Sequence, residues 1–369
     1  MESARKRRVT ELDAFRGLAA LGVMLAHFNA YYAVTAGPDL PWTSAIAHAM
    51  QGSVLFANTC VRLFFVISGF VISYSLLRSN TAVDFIVSRA SRLFPAYWVA
   101  VVISALTLTY ALNTPIEGGL TNVFWNLTMC QWWVHKPYLD PVYWTLTIES
   151  VFYLWALIVW RLGLFPRVDL VAIPWLLAGV YQGVALRNGL PHLDGFWQRS
   201  LILDFMPLFY IGILYFRLYA GQIAAGPRFY ALIAAALLAR YFSAYSGMNL
   251  NALLIDTAIA TAFGLMVSGR LTLLANPVLL WLGAVSYSLY ITHHFVGKAI
   301  LIRLHALGAP EPLIYLVPIA ACLVLATAVT YLVEQPALGL IRSLYKRLRP
   351  PPAPIPHPGA SNKPASKAA

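Results

Sequence analysis

Arg16 and His27 occupy one apolar stretch, L-D-A-F-R-G-L-A-A-L-G-V-M-L-A-H-F. A segment apolar enough to enter a bilayer carries an Arg and a His only where something uses them. On a helix, their eleven-residue separation leaves the two side chains about 20° apart in azimuth and roughly 16 Å apart along the axis. Asp13, three residues before Arg16, lies within ~60° of the same face. One helix face thus bears a polar stripe. A guanidinium on such a face can polarise a carbonyl, and an imidazole can take a proton or receive a transferred group. The alternative for His27 is a buried ring bonded to a neighbouring backbone carbonyl.

Further chemistry-bearing residues recur in other apolar runs. Glu149 stands in Y-W-T-L-T-I-E-S-V-F-Y-L, near the start of a run. There it can act as acid or base, hold His27 in one tautomer, or pair with Arg16 or Arg62 as a salt bridge. Asp140, just before, reads as a loop residue. The run N-T-C-V-R-L-F-F-V-I-S-G-F places Arg62 where it lines a cavity or snorkels outward. Its Ser68-Gly69 pair suits a close helix approach. Arg89 and Arg92, in S-R-A-S-R-L-F-P-A-Y-W, share a helical face and suit bidentate binding of phosphates. Their alternative is ordinary membrane-surface charge or lipid head-group contact. Pro95 then fits the first turn of the next span.

In V-S-Y-S-L-Y-I-T-H-H-F, His293 and His294 point ~100° apart, so one of them is expected to face the site. Arg62, Ser68, Tyr287 and His293 are the candidate cavity residues. Asp204, Asp256 and Glu334 are further ionisable groups at or near spans. Glu334-Gln335-Pro336 reads as the stop of the last span. No metal-ligand spacing, phosphate-binding glycine loop or nucleophile elbow occurs, so no metal is expected.

These residues need elements to hold them, and the composition says which. The chain has 369 residues, of which 60% are hydrophobic and 11% charged. Mean hydropathy is +0.68. Soluble domains carry about 25% charged residues. The expected fold is an all-α integral membrane protein of about ten transmembrane helices. They read as Leu12–Val34, Val54–Leu77, Ala96–Leu112, Leu146–Leu162, Leu170–Leu186, Leu201–Leu218, Phe229–Tyr245, Leu250–Val267, Pro277–Leu301 and Leu313–Val333. The first run has no cleavage-like site after it and reads as a span that stays.

Orientation follows from Lys and Arg. With a cytoplasmic N-terminus, Lys136, Arg187, Arg199, Arg240 and Arg303 fall in outer loops, Arg16, Arg62 and Lys298 within spans, and the rest of the 26 on the inside. An even number of spans returns the C-terminus to the cytoplasm. The net charge of +12 is dispersed between apolar runs, which argues for topology and against a nucleic-acid partner. Residues 1–11 read as a basic cytoplasmic segment, 12–336 as the membrane domain, and 337–369 as a basic, Pro/Ala-rich, largely disordered cytoplasmic tail. Cys60, Cys130 and Cys322 have no metal-like spacing.

Taken in order, the motifs resemble the membrane acyltransferase 3 family. They are L-D-A-F-R-G-L-A with His27 completing Arg-x10-His, F-F-V-I-S-G-F, R-A-S-R-L-F-P-A-Y, W-T-L-T-I-E-S-V-F-Y, S-Y-S-L-Y-I-T-H and E-Q-P. The resemblance runs from about Leu12 to Pro336. It implies transfer of an acyl group, commonly acetyl, from acyl-CoA to a sugar hydroxyl in a surface polysaccharide, a lipid-linked glycan or a glycosylated small molecule. The implied setting is the cell (inner) membrane, crossed many times, among membrane lipids. His27, Glu149, Arg16 and Asp13 become the expected catalytic residues, and Arg89 and Arg92 the acyl-CoA-binding pair. One departure is Arg62, at a position often acidic in the family. Some members carry a fused extracytoplasmic hydrolase-like domain, which is not read here. This chain is therefore expected to finish the transfer itself or to pass the acyl group to a separate extracytoplasmic partner. The competing reading is a secondary transporter or flippase of glycan or acyl intermediates, which would also need buried Arg, His and Glu.

Overall fold

The computed structural model describes residues 10–36 and 53–348. Residues 1–9 of the basic N-terminal segment and 349–369 of the expected tail lie outside the described residues. The described chain is helical, with no strand among the described residues. In order, its helices are α1 (Thr10–Ala36), α2 (Ser53–Arg78), α3 (Ala82–Leu106), α4 (Gly119–Leu127), α5 (Trp144–Arg161), α6 (Val168–Arg187) and α7 (Gly195–Ser200). They continue with α8 (Met206–Tyr219), α9 (Pro227–Phe242), α10 (Leu250–Val267), α11 (Pro277–Ala306), α12 (Glu311–Val329) and α13 (Gln335–Leu348).

A helix stands at each of the ten positions expected from hydropathy. Among the described residues, six segments are long and apolar enough to cross a membrane. They are Phe56–Arg78, Ala82–Ala111, Pro141–Arg161, Phe165–Arg187, Leu250–Val267 and Glu311–Leu348. The α8 segment is apolar but shorter, because residues 201–205 form a turn before it. A multi-pass membrane protein accounts for this set.

Three boundaries differ from expectation for local reasons. The third helix begins at Ala82, not near Ala96. Thr81 caps it: its side chain accepts from the Asp84 backbone NH, and Asp84 accepts from the Thr81 NH in return. Arg89 and Arg92 are therefore helical, and Pro95 sits in the helix interior, where neighbouring helices bury it. Second, Glu334-Gln335-Pro336 does not end the helical path. A π-turn over Thr330–Glu334 leads into α13, and Pro336 falls in that helix's first turn, where its missing NH costs nothing. Third, Arg240, expected in an outer loop, is fully buried near the end of α9.

Helix α1 lies between α2 and α11, and α2 packs in turn on α8. Glycines permit both close crossings. A Cβ on Gly17 would meet the Gly283 backbone, and one on Gly283 would meet the Asp13 carbonyl. A Cβ on Gly69 would meet the Phe209 carbonyl, and one on Gly212 the Val66 carbonyl. Small residues at crossings let helices approach where lipid supplies no hydrophobic drive. The first crossing sets the polar stripe of α1 against the histidine motif of α11.

Candidate active site

A cavity of about 810 Å³, its open mouth included, lies between α1, α2, α3, α5 and α11. Arg16, Ser68, Arg89, Arg92, Glu149 and Tyr287 all line it. Arg16 of the sequence-predicted stripe, the arginine pair and the carboxylate thus converge on one space. Their positions follow from helical spacing: Arg89 and Arg92 are one turn apart on α3, as are Glu149 and Tyr153 on α5.

Glu149 is held at one oxygen. Ser68 Oγ and Tyr153 OH each donate to its Oε1 at 2.7 Å. Arg92 is paired with a carboxylate behind the wall, its Nη1 3.1 Å from Glu334 Oε1. Ser288 donates to the other oxygen of Glu334 at 3.1 Å, and Thr330, in the π-turn, donates to Ser288 at 2.9 Å. Arg16 lies 3.9 Å from Asp13. Arg89 has a buried Nε with no hydrogen-bond partner. Tyr287 donates to the Leu93 carbonyl at 2.8 Å, tying α11 to α3. Three guanidiniums thus face one space against Glu149, with Asp13 and Glu334 beside them. The cavity suits an anionic or strongly polar ligand arm.

His27 does not line this cavity. It belongs to an adjoining cluster with His293, His294, Asp140 and Tyr31. His27 Nδ1 lies 2.9 Å from His293 Nε2, with the rings stacked at 5.2 Å. His293 Nδ1 lies 3.0 Å from the Leu289 carbonyl oxygen. A carbonyl only accepts, so His293 carries its proton on Nδ1 and presents Nε2 as an acceptor. His27 must then donate from Nδ1, which leaves its Nε2 as the bare, basic nitrogen. On the other side, His294 Nδ1 is 3.0 Å from Asp140 Oδ1, and its Nε2 pairs with Tyr31 OH. Asp140 is fully buried, also accepts from the Val142 NH, and is flanked by Ser104.

One aromatic layer separates cavity from cluster. Phe64 and Tyr290 line the cavity, with ring centroids 5.4 Å apart, and Tyr290 is 6.1 Å from the His293 ring. Tyr290 OH bonds Thr145 at 2.8 Å.

Several expectations are corrected by these contacts. Glu149 bonds Ser68 and Tyr153, whereas the orienting partner of His27 is His293. Both His293 and His294 face His27: the His293 ring stacks on it at 10°, and the His294 ring meets it edge-on at 75° with centroids 5.0 Å apart. Arg62 does not line the cavity. It turns to α10 and pairs with Asp256 at 3.3 Å, within a buried set that includes Arg240 at 3.6 Å from the same carboxylate. Asp140 is a member of the cluster and not a bare loop residue. Its one sequence signal was D-P-V, an aspartate capping a proline-started turn. Tyr31 and Tyr290 were also missed. Tyr31 lies four residues after His27, on the same face.

Comparisons with known proteins give the family. The Acyltransferase domain family matches residues 9–334. Nodulation protein 10 of Rhizobium leguminosarum bv. viciae is 28% identical, over 91% of this chain and 95% of its own. The exopolysaccharide production protein ExoZ of Rhizobium meliloti (strain 1021) is 26% identical, over 75% of this chain and 88% of its own. An O-acetyl transferase of Shigella phage Sf6 is 32% identical over 27% of each chain. No solved structure matches. The transporter alternative gives way to an enzyme class. With everything from α1 to the π-turn inside the matched segment, this chain belongs to the acyltransferase 3 family.

Proposed function

We propose that the chain moves an acetyl group from acetyl-CoA to a hydroxyl of a cell-envelope polysaccharide, working in the inner membrane with both termini cytoplasmic. The observation that carries this reading is the pairing of His27 with His293, one aromatic layer beyond an arginine-lined cavity. The donor enters the cavity from the cytoplasmic end, its phosphates toward Arg89 and Arg92. Arg16 holds the pantetheine arm, whose extended reach carries the thioester past Phe64 and Tyr290 toward His27. The acceptor sugar approaches from the outer half, toward His27 Nε2.

His27 Nε2 takes the proton of the sugar hydroxyl, and the oxygen attacks the thioester carbonyl carbon. The new C–O bond forms as the C–S bond breaks, and the departing thiolate takes that proton back from His27 Nε2, leaving ester, free thiol and neutral imidazole. The imidazolium formed on His27 keeps its Nδ1–H bond to His293. General base catalysis of this kind contributes ~10²–10⁴-fold. The resemblance of this chain to exopolysaccharide and O-acetyl transfer proteins supports the acceptor and the acyl group.

The test is mass spectrometry of envelope glycans from cells with wild-type protein or His27→Ala at matched expression. An added acetyl mass that disappears in the variant supports the reading. Retention of that mass in the variant overturns the role of His27.

A further inference from the structure

A second cleft, of about 1020 Å³ with its open mouth, adjoins the arginine-lined cavity. It lies between the end of α2, the start of α3 and helix α13. Val71 and Arg89 line both spaces, so the two share a wall at that arginine. The charges of this cleft are unbalanced. Arg78, Arg89, Arg342 and Lys346 line it against a single carboxylate, Asp84. That carboxylate is engaged: it accepts from the backbone NH groups of Asn80 and Thr81 at 3.2 and 2.9 Å, and from Tyr345 OH at 2.9 Å.

The Tyr345 bond fixes the register of α13 against α3. Arg342 and Lys346, four residues apart on α13, project into the cleft from one helix face. Among the described residues, neither is paired with a carboxylate, and Arg342 feels the like charges of Arg89 and Arg92. Like charges held together at a polar cleft are stabilised by an anion that bridges them, and guanidiniums select phosphate. Helix α13 begins at Gln335, just beyond the segment matched by the family, which ends at 334.

We propose that this cleft is a phosphate site for the nucleotide end of the thioester donor, with Arg342 and Lys346 as ligands beside Arg78 and Arg89. The site rests on the donor reading given under Proposed function. Arg89 at the shared wall hands the donor's arm into the cavity, where Arg16 holds it on its way to His27. A phosphate-bearing lipid head group has the same chemistry, and the two sources separate by experiment.

Full-length protein in detergent micelles is titrated calorimetrically with coenzyme A and with pantetheine, which lacks the nucleotide. Wild type is expected to prefer coenzyme A by more than tenfold. The R342A/K346A variant is expected to weaken coenzyme A binding at least tenfold and to erase most of that preference, while R342K/K346R retains it. Wild-type affinity for coenzyme A in R342A/K346A overturns the cleft assignment and leaves the donor reading standing. If that variant instead loses binding to phosphatidylglycerol vesicles and keeps coenzyme A affinity, the cleft is a head-group site and the proposal falls. A wild-type protein that binds no coenzyme A overturns the donor reading itself, and the cleft assignment with it.

Discussion

His27 Nδ1 and His293 Nε2 stand 2.9 Å apart although 266 residues separate them in sequence. The bond fixes a direction as well as a contact. Because the Leu289 carbonyl holds the proton of His293 on Nδ1, the pair can be drawn with only one neutral arrangement, and it exposes Nε2 of His27. In the proposed mechanism His293 is thus a positioning residue for the reacting nitrogen. His293→Phe keeps a flat ring but removes both nitrogens. It is expected to lower acetyl transfer ~10- to 100-fold, the scale on which second partners of a functional histidine act. His293→Gln restores an acceptor and should recover part of the loss. Initial rates on membranes at matched protein level check this; equal rates for His293→Phe and wild type would show that His27 needs no partner.

Glu149 tests a different part of the site. Its Oε1 accepts from Ser68 and Tyr153, and a glutamine amide oxygen can accept from both in the same way. Glu149→Gln should therefore fold to wild-type yield. It also removes the one negative charge among Arg16, Arg89 and Arg92 on the cavity wall. Binding of the anionic donor is expected to tighten, while turnover falls several-fold because the added attraction acts on the bound donor and not on the transition state. Separate determination of kcat and KM for acetyl-CoA checks both directions. An unchanged kcat would reduce Glu149 to a packing residue.

Hydropathy alone placed a helix at all ten positions, because a span needs only length and apolarity. The polar stripe of α1 and the cavity-facing Arg89, Arg92 and Glu149 were legible too, since buried ionisable groups stand out in apolar runs. Partners were not. His27 with His293, and Arg62 with Asp256, are joined by helix packing, which one chain's spacing does not encode. Arg92 was read for phosphates, but its Glu334 partner lies on a π-turn whose register no periodicity announces. Helix α13 was read as tail because Pro336 looked like a stop. Its signal was there in Leu338, Ile341, Tyr345 and Leu348, an apolar stripe with Arg342 and Lys346 beside it.

The crossing of α2 and α8 predicts a stability effect with no change of charge. A methyl at Gly69 or Gly212 would run into backbone carbonyls of the opposite helix, at Phe209 and Val66, which have no rotamer to yield. Gly69→Ala and Gly212→Ala are each expected to cost about 1–3 kcal/mol. Gly69 neighbours Ser68, so Gly69→Ala should also disturb the Ser68–Glu149 bond and lower turnover. Gly212→Ala should lower yield more than rate. Thermal midpoints in detergent, compared with rate per folded molecule, separate the two. Wild-type midpoints in both variants would show that the crossing is looser than it stands here.

Arg62 completes the set, because it is an arginine where acidic residues are common in the family. Its guanidinium reaches Asp256 at 3.3 Å and the Ala252 carbonyl at 3.2 Å, on the far side of α2 from the cavity. Arg240 adds a second cation to the same aspartate and anchors itself on the Asp204 carbonyl at 3.0 Å. Two buried arginines thus depend on one carboxylate. Asp256→Asn leaves both uncompensated and is expected to cost about 3 kcal/mol or more, read as a lower thermal midpoint and a smaller folded yield. Removing one cation as well, in D256N/R62M, should recover part of that loss, because a buried pair replaced by apolar contact costs little. The folded fraction of each variant should transfer acetyl at close to the wild-type rate, since none of these atoms faces the donor or the histidines. A variant that folds normally yet loses transfer would return Arg62 to the cavity-lining role expected from its sequence position.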